Sequence, residues 1–320
     1  MDAPEGTRAQ FTEATGVKVN YIEDIITNEE LFGKIQGPLS QGQSIDRDII
    51  VPTAWLAARL KTLGYLLPLD KSAIPNIVNL EETLAHPDWD PNREYGLPWQ
   101  TYMTGIGYDP EKVGFEITSV EQLLDPSLKG KVTMLDSQED TVCLFLLAMG
   151  SDPTKVDPVA FDEVIAKLQK AVDDGQIRQF PGQDYTDDLV QGNAWASIAW
   201  SGDVISLQQT NPNLRFVIPD AGGATSVDTM VIPLGGDVYT ASTFMNFYYQ
   251  PEIMAQVEAE VWYIPPVKGV KEAIAEIDPA LAEHPLIFPP PEVREKLYEY
   301  EPAALDNPEF QEKWQAVTGA

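Results

Sequence analysis

Asp48-Ile-Ile-Val-Pro52, then Thr53, then Ala54-Trp-Leu-Ala-Ala-Arg-Leu-Lys-Thr-Leu63 closed by Gly64, is the stretch from which the fold class can be read. Three β-branched apolar residues bounded by an acid and a proline predict a short buried strand. Thr53 stands where a helix N-cap belongs, and Gly64 is a helix stop. Working outward, Thr7 to Thr15 has helical spacing and ends at Gly16, Val17-Lys-Val-Asn-Tyr-Ile22 alternates like a strand, and a helix runs from Asn28 through Leu31, Phe32 and Ile35. Strand followed by helix, repeated, predicts an α/β fold with a mostly parallel sheet flanked by helices.

The pattern recurs with new material after Ser119. Ser119-Val-Glu-Gln122 is a capping box, Lys131-Val-Thr-Met-Leu135 a strand, and Ser137 opens a helix through Leu147. Phe161, Val164, Ile165, Leu168 and Val172 form one apolar stripe on a helix from Pro158, which is a core-facing face and needs no other reading. Ala194 to Trp200 and Leu214 to Ile218 predict two more strands around a helix. Beyond residue 227, Asp228-Thr-Met-Val-Ile-Pro233 is one strand and the remainder is helical or punctuated by proline.

Fifty acidic against 21 basic side chains give 320 residues a net charge of −29, with 43% hydrophobic residues. This is globular composition, long enough for two domains. Such a surface repels nucleic acid and anionic lipid and favours cationic partners, although acidity alone slightly favours the plainer explanation of salt adaptation or solubility. Cys143 is the one cysteine, set in an apolar run that predicts a buried small hydrophobe and excludes an intrachain disulfide. No apolar run reaches the roughly 18 residues of a membrane span, and Met1 to Gly6 has no export-signal pattern, so either the protein is cytoplasmic or a signal is absent from this chain.

Catalytic signatures are weak. There is no phosphate loop and no nucleophile elbow, and Gly105-Ile-Gly107 lacks the third glycine of a dinucleotide loop. Two histidines, His86 and His284, speak against a His-rich zinc site; a carboxylate site for magnesium or calcium stays open. Carboxylate pairs suited to glycoside hydrolysis arise by chance among so many acids. No catalytic residue, metal site or cofactor is therefore assigned.

What stands out is aromatic and acidic residues together at the C-terminal ends of predicted strands, where open α/β sheets bind ligands. The segments are Val51 to Trp55, Asp136 to Asp140, Trp200-Ser-Gly-Asp203, Thr225 to Asp228 and Val261-Trp-Tyr263. A carboxylate and an indole or phenol face together suit an organic ammonium, the ring contributing about 0.5 to 2 kcal/mol. Each residue also has a plainer role. Asp140 could complete a cap with Ser137, Asp203 could complement a helix dipole, Asp228 could belong to a turn after Gly222-Gly223, and Tyr263 could simply pack. Trp195 is assigned to the core and Trp200 to the ligand side.

With these segments assembled, the chain resembles the extracytoplasmic solute-binding proteins of ABC importers for spermidine and putrescine. The resemblance is carried by Gln10 to Val19, Asp48 to Thr53, Leu69 to Ser72, Gly105 to Tyr108, Leu128 to Val132, Ala199 to Asp203, Gly222 to Pro233 and the Pro-flanked Tyr263. It implies a type II periplasmic-binding-protein fold of two discontinuous lobes, 1–107 with 228–271 and 108–227 with 272–320, closing over ligand as a hinge. It implies Thr53, Trp55, Asp140, Trp200, Asp203, Asp228 and Tyr263 as contacts of a polyamine in the interlobe cleft. It also implies an extracytoplasmic monomer that docks on ABC permease subunits and performs no catalysis. Family members begin with a strand and aromatic loop ahead of the first helix, whereas this chain starts at that helix. Ser226 replaces a frequent aromatic and Ser137 an occasional acid. The competing expectations are an acidic hydrolase using a carboxylate pair in the same cleft, or a degenerate or redesigned relative that has lost its ligand.

Overall fold

The computed structural model describes residues 4–319. The start of the chain, Met1 to Ala3, on which the expectation of a missing leading strand turns, lies outside the described residues. Eight strands are formed among the described residues: β1 (Leu66–Leu67), β2 (Gly96–Tyr108), β3 (Val132–Thr133), β4 (Ile177–Gln179), β5 (Ala196–Trp200), β6 (Arg215–Val217), β7 (Gly223–Pro233) and β8 (Leu297–Tyr298). The chain divides into two compact units, Met1–Thr101 with Ser226–Phe288, and Tyr102–Thr225 with Pro289–Ala320. It passes from one to the other inside β2, inside β7, and again after Phe288. The third passage lies beyond the expected position at residue 271, because Val270 and Ile274 are buried in the first unit's core with Met245 and Met254. Apolar burial of that helix, Val270–Ala275, holds the segment where it is.

In the first unit, helix Glu5–Thr15 ends at Gly16 with φ 76°, and buries Phe11. Helix Asn28–Ser40 is capped by Thr27, whose hydroxyl accepts the Glu30 N–H at 3.1 Å. β1 runs antiparallel to β7 with Leu66 opposite Pro233. Two expected strands are not formed. Val17 to Ile22 is irregular, and Asp48 to Pro52 forms no ladder, contributing the antiparallel bridge of Ile50 to Val231 and the Pro52 carbonyl that accepts the Thr229 N–H. Alternation specifies an extended chain, but a strand also needs a neighbour to accept its hydrogen bonds. Ile22 is accordingly 42% exposed. The described pairings of this unit are antiparallel.

Parallel pairing belongs to the second unit, where β3 lies between β4 and β5 and is parallel to both. β5 and β6 pair antiparallel to β2, and β8 pairs parallel to β7. Helix Pro158–Asp173 buries Phe161, Val164 and Leu168, with the Phe161 ring stacked on Phe310 at 3.9 Å. Ser119 forms its capping box, although the helix it opens, Val120–Leu124, is a 3₁₀ turn. Helix Gln138–Ala148 is buried almost all round, and burial pushes the Cys143 thiol up. Gly107 is a packing glycine within β2: a Cβ there would meet Val204 Cγ2 at 2.9 Å and Ala199 Cβ at 3.0 Å. Trp195 is half-buried rather than core, with Lys131 Nζ 5.6 Å from its ring centroid. Among the described residues no helix is long and apolar enough to cross a membrane.

Candidate functional site

Three of the seven predicted site residues are brought together in the second unit. The β2–β5 register sets Thr104 opposite Trp200, so the end of β5 lies against the middle of β2. Ser137 caps the helix that carries Asp140, accepting the Asp140 N–H at 3.2 Å. The capping role is thus real, and the carboxylate does something further. It is 1% exposed, takes the Thr104 hydroxyl hydrogen bond on Oδ1, and accepts Trp200 Nε1 on Oδ2 at 3.1 Å. Burial raises the Asp140 pKa; the hydrogen bonds from Thr104, Ser137 and Trp200 act against that rise. Its chemical effect is to fix the orientation of the half-buried indole of Trp200.

Asp203 occupies the first turn of helix Ser201–Gln208, where an acid complements the helix dipole. Its Oδ2 also accepts Tyr185 Oη at 2.7 Å and Gln183 Nε2 at 2.7 Å. Tyr185 Oη in turn accepts the Trp200 N–H at 3.0 Å, so one fully buried hydroxyl ties the acid to the aromatic's main chain. Burial first, and then the Asp203 carboxylate beside it, raise the Tyr185 phenol well above its ordinary range, so it stays a donor. Tyr102 and Tyr185 each meet Trp200 edge-on, with ring centroids 6.0 Å and 5.7 Å away. Tyr102 Oη also lies 3.4 Å from Glu139 Oε1. Sequence reasoning missed Tyr102, Tyr185, Gln183 and Glu139. Tyr185 merely opens a short helix after Pro181-Gly182, and no spacing links it to a residue 18 positions on.

The other four predicted residues belong to the first unit. Thr53 and Asp228 are bridge partners in an antiparallel pairing, and the Thr229 N–H reaches the Pro52 carbonyl at 2.8 Å. β7 begins at Gly223, so Asp228 sits within a strand, which overturns the turn alternative. Thr53 precedes helix Ala54–Thr62 but its hydroxyl does not cap it. Both Thr53 Oγ1 and Trp55 Nε1 are buried without a hydrogen-bond partner, in side chains 7% exposed. Arg59 places its guanidinium 5.8 Å from the Trp55 ring centroid. Tyr263, 5% exposed, follows helix Pro251–Val261 and sits next to Ile264, which pairs with Thr101. Among the described residues no group of three or more His, Cys, Asp or Glu could hold a metal ion.

Residues 7–289 match the family described as bacterial extracellular solute-binding protein. The chain is 30% identical over 320 residues to the putrescine-binding periplasmic protein PotF of Escherichia coli, covering 92% of this chain and 82% of that one. It superimposes with a TM-score of 0.80 on the spermidine/putrescine ABC transporter substrate-binding protein PotD of Streptococcus pneumoniae, at 25% identity, covering 99% and 96% of the two chains. It also shares its fold, with a TM-score of 0.78 and 19% identity over 98% and 93%, with the Agrobacterium binding protein AgtB in complex with agropinic acid. The architecture is that of the type II periplasmic binding proteins. A match over residues 7–289, together with these relatives, places the chain in the bacterial extracellular solute-binding protein family.

Proposed function

We propose that the chain is the extracytoplasmic receptor of an ABC importer, binding a polyamine such as putrescine or spermidine and delivering it to a membrane permease without catalysis. AgtB shows that the fold by itself leaves the ligand open. The observation that carries the reading is the second-unit cluster, in which the Trp200 indole is locked by Asp140 and the Trp200 main chain is tied through the Tyr185 hydroxyl to the Asp203 carboxylate. That pairing supplies a ring face and a charge-assisted acceptor, the two things an alkylammonium needs. Thr53, Trp55, Asp228 and Tyr263 supply a second acid and further aromatic surface. The buried, unpartnered Thr53 Oγ1 and Trp55 Nε1 support a ligand role, since buried polar atoms are rarely left unpaired. The net charge of −29 attracts a di- or trication over the longer range.

Calorimetric titration with putrescine and spermidine tests the proposal. Saturable heat is expected with at least one of them. Asp203→Asn and Asp228→Asn should each weaken binding by roughly 10- to 100-fold, the value of a charged hydrogen bond. No heat and no thermal shift with either amine, on folded protein, would refute it.

A further inference from the structure

Two adjacent carboxylates stand in the first turn of helix Gln138–Ala148, and the protein holds them differently. Asp140 is enclosed, and each of its oxygens carries a donor from the second unit itself, the Thr104 hydroxyl on Oδ1 and Trp200 Nε1 on Oδ2 at 3.1 Å. A carboxylate so enclosed offers no open edge to an ammonium group. Burial also raises its pKa, whereas an acid that holds a cation has to stay charged. Glu139, one residue earlier, is half-buried instead. Its Oε1 lies 3.4 Å from Tyr102 Oη, loose beside the usual O–H···O length of about 2.7 to 2.8 Å.

The strand beneath explains the difference. Tyr102 and Thr104 are two positions apart on β2, so their side chains share one face, and the β2–β5 register sets Trp200 opposite Thr104 on that face. The first helical turn lays its acids along it in order, Asp140 on Thr104 and Trp200, Glu139 on Tyr102. Tyr102 is the residue at which the second unit begins, so Glu139 stands at the margin of that unit and Asp140 a step further in. Tyr102 and Tyr185 both meet Trp200 edge-on, and their hydroxyls meet Glu139 and Asp203 respectively. Two half-buried acids are thus each one phenol away from the same indole.

We propose that the two neighbours divide the work: Glu139 is the acid that meets a ligand ammonium, and Asp140 is a positioning residue that acts through the Trp200 indole alone. The assignment rests on the polyamine reading for its ligand, and it departs from the direct contact that the family resemblance implies for Asp140. The two roles differ in what can replace them. Asn in place of Asp140 keeps an oxygen for the indole N–H and turns its NH₂ to Thr104 Oγ1, a hydroxyl that accepts as well as it donates. An amide in place of Glu139 keeps the shape and loses the charge that strengthens a bond to an ammonium group.

Calorimetric titration of the full chain with putrescine and spermidine decides the division. Glu139→Gln should weaken binding of the amine that wild type takes by roughly 10- to 100-fold, the value of a charged hydrogen bond. Asp140→Leu, which cannot hold the indole, should lose about tenfold, and Asp140→Asn should recover most of that loss. Hydrogen exchange at the Trp200 Nε1–H, identified by its absence from the spectrum of Trp200→Phe, follows the brace in wild type and keeps the test open if the Asp140 variants do not fold. That proton should stay protected in the amine-saturated protein; its release on binding would show Asp140 turning to the ligand and overturn the positioning role. Wild-type affinity in Glu139→Gln, or an Asp140→Asn protein no better than Asp140→Leu, would overturn the division and leave the polyamine reading in place. A wild type that binds neither amine overturns the reading and the assignment with it.

Discussion

The two units carry similar ingredients in different states of completion. In the second, every polar atom named around Trp200 is satisfied from within: Asp140 by Thr104 and the indole, Asp203 by Tyr185 and Gln183, Tyr185 by the Trp200 main chain. In the first, Thr53 Oγ1 and Trp55 Nε1 are buried with nothing to bond. On the proposed reading the second unit is preorganised, with the entropy of orienting its ring and acid already spent during folding. The first keeps a local cost at Thr53 and Trp55, which the proposed ligand role would relieve. Substitutions in the second unit should consequently disturb stability and binding together, and substitutions at Thr53 should separate them.

The largest effect is expected from Trp200→Ala. It removes a large half-buried ring and strips the buried Asp140 carboxylate of a donor, which should cost about 3 to 5 kcal/mol in denaturant unfolding and abolish detectable polyamine binding. Full retention of stability would break the contrast at its strongest point. Next comes Tyr185→Phe, which leaves the Trp200 N–H and one Asp203 oxygen short of a partner. A loss of about 1 to 3 kcal/mol is expected, with affinity falling roughly tenfold. Thr53→Val sharpens the comparison from the other side: the ligand-free protein should melt within about 1 kcal/mol of wild type or above it, because an orphaned hydroxyl has gone, while calorimetry shows weaker binding.

The smallest effect is in pH dependence. Glu258 has a folded-state pKa above its unfolded one, so the native state holds more protons across that interval and stability falls as pH rises through it. Glu258→Gln should flatten that limb between the ordinary glutamate range and the raised value. Unfolding curves at a series of pH values read it directly, and an unchanged slope in the variant would count against a raised Glu258 pKa.

Local rules explain what could be read from the residues alone. The capping box at Ser119, the Gly16 stop and the amphipathic stripe from Phe161 to Leu168 are decided by neighbours in sequence, and all three are present. Val17 to Ile22 has the alternation of a strand without becoming one, because pairing depends on what lies alongside. The Asp48 to Pro52 segment, which settled the fold class, meets β7 through isolated bonds rather than a ladder, the Ile50–Val231 bridge and the Pro52 carbonyl. In the candidate cluster, the placing of Trp200 and Asp203 was legible because they close a strand and open a helix within four residues. Asp140 was legible as a cap, but its grip on the indole spans 60 positions and exists only once β2, β5 and the helix from Gln138 have packed. Tyr185 was invisible for the same reason.

Two of the three passages of the chain between the units lie inside β2 and β7, so the backbone that joins them is also the backbone that each unit uses to complete its own pairings. Melting either half frays hydrogen-bonded ladder in the other. Heating should therefore give one calorimetric peak whose van't Hoff and calorimetric enthalpies agree, and a protease should find no exposed tether at either strand at which to cut the molecule into independently surviving pieces.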